Sequence, residues 1–187
     1  MKRLNGALVL VALAQLALLS SGMMRKEAPR PPRPDPVRVG DQVGELPGHM
    51  DGAPARVALR RSDQRWTAVL AFASDCVHCE TVAPDWSNWL RKEHAFEVIG
   101  ISRDAPQDAA AYRGHHGWRM RILNVPRGDA RTGFLVSRTP WVFLFDDRGV
   151  LRYEGHGRSV ASVDSIVRAG RLTPPGIKTT PPPQQGE

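Results

Sequence analysis

The chain's two cysteines, Cys76 and Cys79, stand two residues apart in the stretch AFASDCVHCETVAP, residues 71 to 84. A Cys-x-x-Cys pair can serve as a redox dithiol, half of a structural zinc site, part of a haem attachment, or two core residues. Covalent haem attachment needs a histidine directly after the second cysteine, and Glu80 stands there instead. Structural zinc takes four ligands, often a second cysteine pair or paired histidines. His78 lies inside the motif, but His49, His94, His115, His116 and His156 have no ligand spacing to it. No metal is therefore expected. Inert burial remains as a rival, weakened because the only cysteines sit at what reads as a strand end and a helix start in a chain with an export-type N-terminus.

A helix beginning at or just before Cys76 places the two sulfurs one turn apart on one face. That separation suits a disulfide. Cys76 then lies at the helix N-terminus, where free N–H groups and the helix dipole favour an anion, so its thiolate is the expected nucleophile. Cys79 faces the core and is the expected resolving thiol. Cys79, Val82, Ala83, Trp86, Trp89 and Leu90 form one apolar stripe at helical spacing. Pro84 falls within it and should kink the helix.

The elements needed to hold such a pair are legible on either side. Trp66 to Phe72, Phe96 to Ser102 and Trp141 to Asp146 are short apolar runs suited to central strands. The turn Asp146-Asp147-Arg148-Gly149 leads into Val150 to Glu154, an expected antiparallel partner. Asp104 to His116 reads as a helix with Asp104 as its cap and Pro106 near its start. Ser159 to Ala169 reads as a second, closed by Gly170. His115 and His116 are expected at a helix end facing water. Gly155 and Gly157 are expected to serve turn geometry. The alternation predicts an α/β sandwich around a mixed sheet.

The ends of the chain differ from this middle. Residues 1–26 carry Lys2 and Arg3 before an apolar stretch from Leu4 to Met24. That length can span a bilayer and has the layout of a signal segment; an uncleaved signal-anchor is expected. No cysteine follows it, which excludes a lipoprotein anchor. Residues 27–38 form a proline-rich linker, 39–170 the folded domain, and 171–187 a proline-rich tail without residues to bury. Net charge is +7, with arginine far outnumbering lysine. The arginines form no run and accompany no nucleic-acid motif, so they are expected on solvated faces and nucleic acid is not an expected partner.

The segments FASDCVHCETVAP and SRTPWVFLFDDRGVLRYEGHG resemble the two signatures of thioredoxin-like proteins: a Cys-x-x-Cys helix start followed by a proline, and a Thr-Pro before a strand and hairpin. The resemblance implies an α/β thioredoxin-like fold, a mixed central sheet flanked by helices on both faces. It also implies a cis Thr139–Pro140 bond packed against the cysteines, with Thr139, Pro140 and Trp141 shaping the substrate groove. A packed strand aromatic is an equal reading for Trp141. The anchor and the long insert between the signatures resemble the membrane-tethered periplasmic subgroup. These act on exported thiol or disulfide proteins such as apocytochrome c, draw electrons from a membrane thiol donor, and need no cofactor.

Departures from that pattern fall around the cysteines. Asp75 replaces the tryptophan usual before the first cysteine, and its carboxylate would raise the Cys76 pKa. His78 precedes the second cysteine, and an imidazolium there would favour the Cys76 thiolate and a more oxidising disulfide. Leu70 occupies the place of the buried acid that usually takes the proton of the second thiol; Glu80 is a candidate substitute. Two rivals to disulfide exchange are carried forward. One is a peroxiredoxin-type peroxidase, whose signature threonine three residues before the cysteine is replaced by Ala73. The other is a non-catalytic binding module.

Overall fold

Apolar runs of the sequence become the middle of one sheet. The computed structural model describes residues 37–125 and 132–172. The N-terminal segment at 1–26, the linker up to residue 36 and the tail from 173 lie outside them. Strands β1 (Glu45–Met50), β2 (Ala53–Ala58), β3 (Thr67–Phe72), β4 (Glu97–Ser102), β5 (Arg121–Asn124), β6 (Trp141–Phe145) and β7 (Leu151–His156) alternate with helices α1 (Val77–Leu90), α2 (Pro106–His115) and α3 (Ser162–Leu172). A short 3-10 turn, Gly157–Ser159, precedes α3. Among the described residues no helix is long and apolar enough to cross a membrane.

The sheet runs in the order β2-β1-β5-β4-β3-β6-β7. β3 pairs in parallel with β4, and β4 with β5, whereas β6 and β7 run antiparallel. Central β3 is buried along its whole length, as a run of small and branched apolar residues flanked on both sides requires. Its side chains alternate between two cores. Ala68, Leu70 and Phe72 face one cluster, while Val69 and Ala71 face the other with Ile99, Ile101, Phe143 and Phe145. All three helices deliver their buried residues to the first cluster. The second is closed by Leu135 and Val136 from the turns before β6, together with residues of β1 and β2. The thioredoxin-like sheet is thus as expected, but among the described residues helices cover one face rather than both.

The hairpin of β1 and β2 and the short β5 were not foreseen. The hairpin had a signal: Asp51-Gly52 takes positive φ at both positions, 49° and 82°, the backbone of a tight hairpin turn. Strand β5 has four residues, too few for a period to emerge.

Two helix boundaries differ from expectation for identifiable reasons. Asp104 does not cap α2, whose cap is Ala105 with no side-chain bond. The Asp104 carboxylate instead accepts the Ser74 N–H at 2.6 Å, while its own N–H reaches Ser102 Oγ and its carbonyl accepts from Asn124. These bonds tie the carboxyl ends of β3, β4 and β5 together beside the cysteine loop. Gly170 does not end α3, which continues to Leu172. A Cβ at that position would collide with the Trp66 ring, so the glycine serves packing.

One chain of contacts fixes α1 to the far side of the sheet. Trp86 is fully buried, and its Nε1–H donates to the Gly157 carbonyl at 2.8 Å. The Gly157 N–H in turn donates to the Pro140 carbonyl at 3.1 Å. Gly157 has no room for a side chain, since a Cβ would stand 2.9 Å from both Pro140 and Trp86; close approach, not turn geometry, demands glycine there. Trp86→Phe takes from the Gly157 carbonyl its shorter hydrogen bond and leaves only the Val160 N–H at 3.3 Å, so unfolding free energy should fall by about 0.5–1.5 kcal/mol, read from urea denaturation.

Candidate functional site

The helix of the cysteine pair starts immediately after Cys76, which is its cap. The Cys76 Sγ accepts the N–H of Cys79 at 3.3 Å, the place a serine or aspartate oxygen takes in an ordinary cap. Cys76 is part-buried, Cys79 is only 1% exposed, and both are free thiols. The Thr139–Pro140 bond is cis, and the strand it opens brings Thr139 to Cys76. Thr139 Oγ1 donates to Cys76 Sγ at 3.7 Å, and the thiol faces the Thr139 carbonyl at 3.8 Å. Cys76, Cys79, Thr139 and Pro140 are therefore one cluster.

The two thiols have opposite electrostatic environments. Burial pushes Cys76 up, but hydrogen bonds from the Cys79 thiol, the Thr139 hydroxyl and the backbone N–H groups of Cys79 and His78 outweigh it, holding Cys76 below the ordinary thiol value. Burial likewise pushes Cys79 up, and there the hydrogen bond to Cys76 adds to it, so its pKa reaches about 12. A thiol that is ionised by its neighbours attacks; one that stays protonated waits.

Asp75 and His78 bracket Cys76 in sequence but point to solvent. Neither side chain is among the strongest influences on Cys76; His78 acts through its backbone N–H. The His78 side chain lines a cavity of about 300 Å3 with Thr81, Val82, His156 and Arg158. Next to the nucleophile Val77 is 77% exposed, an apolar contact open to a partner. Trp141 is half-buried, edged against the second core, with its Nε1–H on Glu154 at 3.2 Å and the Arg138 guanidinium 4.6 Å from its ring centre. It is both a packed strand aromatic and an open surface within one strand residue of Pro140.

Leu70 is wholly buried beneath the helix, so no carboxylate stands in the sheet at that point. Glu80 is half exposed and directs its carboxylate toward α2, 3.6 Å from His116 Nε2. His115 faces water as expected, but His116 does not: its side chain is 13% exposed and packs against Tyr112 and Trp118. The sequence did carry a signal, since Ala109, Tyr112 and His116 repeat at i, i+3 and i+7. Among the described residues no cluster of three metal-binding side chains occurs.

Unequal thiols one turn apart can pass a disulfide to or from another molecule, and this defines the class: a thioredoxin-like thiol–disulfide oxidoreductase. Comparison with known proteins places it more narrowly. A model of the AhpC/TSA family matches residues 39–154, more than half of the chain, and the protein belongs to that family. Among curated proteins it is similar to the methylamine utilization protein MauD of Paracoccus denitrificans, 27% identical over 136 residues, covering 71% of this chain and 66% of that protein. MauD of Methylorubrum extorquens is 25% identical over 178 residues, covering 89% and 85%. Solved structures with this fold include a peroxiredoxin-like protein from Aquifex aeolicus (TM-score 0.58, 15% identical, 73% of this chain and 90% of that one). Another is a thio-disulfide isomerase from Thermus thermophilus (TM-score 0.53, 20% identical, 72% and 98%).

Because Cys76 is depressed and Cys79 raised to about 12, rising pH ionises Cys76 first and leaves Cys79 protonated through the neutral range. Iodoacetamide at neutral pH should therefore label Cys76 alone, with a rate midpoint below that of a free thiol. Thr139→Val removes one stabilising donor and should move that midpoint upward, as mass spectrometry of the labelled peptide would record.

Proposed function

We propose that the domain reduces disulfides in exported protein clients, with Cys76 attacking and Cys79 resolving. The observation that carries this reading is the Cys76 sulfur held as a helix cap with a lowered pKa, one turn from a buried, protonated Cys79. In the first step the Cys76 thiolate attacks one sulfur of a client disulfide, and the other client sulfur leaves as a thiolate. In the second, Cys79 loses its proton and attacks Cys76, releasing the client thiolate and closing the Cys76–Cys79 disulfide. Two electrons pass to the client, and a thiol donor must return them.

The surface beside the nucleophile supports a polypeptide client. The half-buried Thr139 and Trp141 offer an extended chain a backbone carbonyl and part of an aromatic face, and the exposed Val77 adds an apolar contact. Pro140, a residue without an N–H, shapes that groove. We assign His78, Asp75 and Glu80 to tuning the pair, His78 through its N–H. The N-terminal segment at 1–26 is proposed as an anchor in the bacterial cell membrane, with the linker 27–38 holding the domain 39–170 on the periplasmic side and residues 171–187 as a tail. There it would meet exported clients, an apocytochrome c among them, and a membrane thiol donor.

A second reading, peroxide reduction, is favoured by the family match over residues 39–154. Against it stands Ala73 in the place of the signature threonine, a fully buried methyl without a side-chain hydroxyl to offer Cys76. Insulin reduction driven by dithiothreitol should be accelerated by the wild type and fall to the uncatalysed rate in Cys76→Ser. Equal rates for the two would remove the exchange reading for protein substrates, and peroxide consumption that depends on Cys76 would put the peroxidase in its place. Cys79→Ala should accumulate client mixed disulfides on Cys76 in cells, visible as bands that vanish on reduction.

A further inference from the structure

The cavity of about 300 Å3 lined by His78, Thr81, Val82, His156 and Arg158 has no part in the two thiol steps. Two walls make it. His78, Thr81 and Val82 stand at i, i+3 and i+4 on one face of α1, in the first turns after the capping Cys76. His156 ends β7, and Arg158 lies in the 3-10 turn that follows. This second wall is tied to the groove. His156 is the register partner of Trp141 across β6 and β7, and its ring meets the indole edge to face at 6.2 Å. Between His156 and Arg158 sits Gly157, packed so closely on Pro140 and Trp86 that it has no room for a Cβ. The cavity therefore opens beside Pro140, within two helical turns of the nucleophile.

Its lining is basic and carries no carboxylate. The Arg158 N–H donates to His156 Nδ1 at 3.2 Å, so the ring holds its own proton on Nε2 and presents a donor there. Arg158 is exposed, and among the described residues its guanidinium enters no ion pair. Arg138, the other arginine at this groove, is different. Its guanidinium pairs with Glu154 at 3.2 Å and lies over the Trp141 ring. Glu154 is thereby occupied, Glu80 turns toward His116, and Asp85 falls a turn beyond Val82, outside the lining. Many arginines of this chain face open water. Arg158 differs in being set beside the groove by a backbone that Pro140 and Trp86 hold in place.

We propose that this cavity is a specificity site for the acidic side chain of a client, an aspartate or glutamate about two residues from the client's reacting cysteine. The proposal rests on the exchange reading above and names the class of client that reading leaves open. The spacing follows from chain geometry. Five residues of helix, from Cys76 to Thr81, rise about 7.5 Å, which an extended chain covers in about two residues. Alternate side chains of an extended chain share a face, so the client's cysteine and its carboxylate reach the protein together. Arg158 supplies the charge and a forked pair of donors, and His156 a further N–H. Val82 meets the methylene stem of the acid. No covalent step is added; the contact sets where the client disulfide rests beside Cys76.

Two short peptides test this, each carrying its one cysteine as a mixed disulfide with 2-thiopyridine. One has aspartate and the other asparagine at both positions two residues from the cysteine. The Cys76 thiolate attacks the peptide sulfur, the sulfur–sulfur bond breaks, and the thiopyridine leaves with the electron pair and takes a proton from water. Its absorbance gives the rate. In the wild type at low salt the aspartate peptide should react about tenfold faster, the scale of a hydrogen bond to a charged group. The gain should lie in the half-saturating concentration rather than in the limiting rate, and added salt should shrink it. Arg158→Gln should bring the ratio of the two rates close to one, and Arg158→Glu below one. Arg168→Glu, the same change of charge at an exposed position of α3, should keep the wild-type ratio, which separates a local contact from the field of the net charge. Equal rates for the two peptides in the wild type, or a ratio that survives Arg158→Glu or falls equally in Arg168→Glu, would overturn the proposal. A wild type that releases thiopyridine from neither peptide would instead overturn the exchange reading itself.

Discussion

A sulfur atom in the capping position of a helix is the constraint on which the rest of the site depends. The free N–H groups of a first turn are satisfied in most helices by a side-chain oxygen or by water. Here Cys76 Sγ takes the Cys79 N–H, so satisfying the helix and favouring the thiolate are the same event. The arrangement holds only if the helix end stays part-open to solvent while its flank is sealed. Trp86 seals the flank, and its indole N–H reaches Gly157. From Gly157 the connection runs through the Pro140 carbonyl to Thr139, whose hydroxyl returns to Cys76. Nucleophile and groove are two ends of one hydrogen-bonded circuit across the first core.

That circuit explains why the two thiols differ despite standing one turn apart. Burial opposes ionisation at both. Cys76 has donors on several sides, while Cys79 gives its own hydrogen bond to Cys76 and so stays protonated. A helix turn separates the side where hydrogen-bond donors outweigh burial from the side where burial outweighs the donors of Ala73 and Thr139. Helix position alone would have given a difference in the same direction, yet the Thr139 donor comes from 63 residues away in sequence, where no local pattern shows it.

Much of this was legible in the sequence because period and chemistry agreed. The stripe from Cys79 to Trp89 is buried as its spacing requires, and β3, β4 and β6 lie on the apolar runs. Single residues that answer to distant neighbours were not legible. Asp104 looked like a cap and instead ties three strand ends together; Gly170 looked like a stop and makes room for Trp66. Local pattern cannot distinguish these roles, since each depends on a partner dozens of residues away. Asp75 and His78 show the same limit in the site itself. Their charges looked decisive beside Cys76, but both side chains turn to water, where solvent screens them, and the hydrogen bonds to the sulfur outweigh them.

Leu70 gives the absence of an acid in the sheet a physical meaning. A carboxylate enclosed between Ala68 and Phe72 would be desolvated on all sides and would hold its proton tightly. It could take the proton of Cys79 only by exchanging with solvent through the closed core. Glu80, by contrast, keeps half its side chain in water and stands 3.6 Å from His116, so its carboxylate lies on the rim of the first core rather than inside it. The dry floor of Ala68, Leu70 and Phe72 beneath the helix is what keeps Cys79 protonated between reactions, while the charged groups of α1 stay at the wet rim.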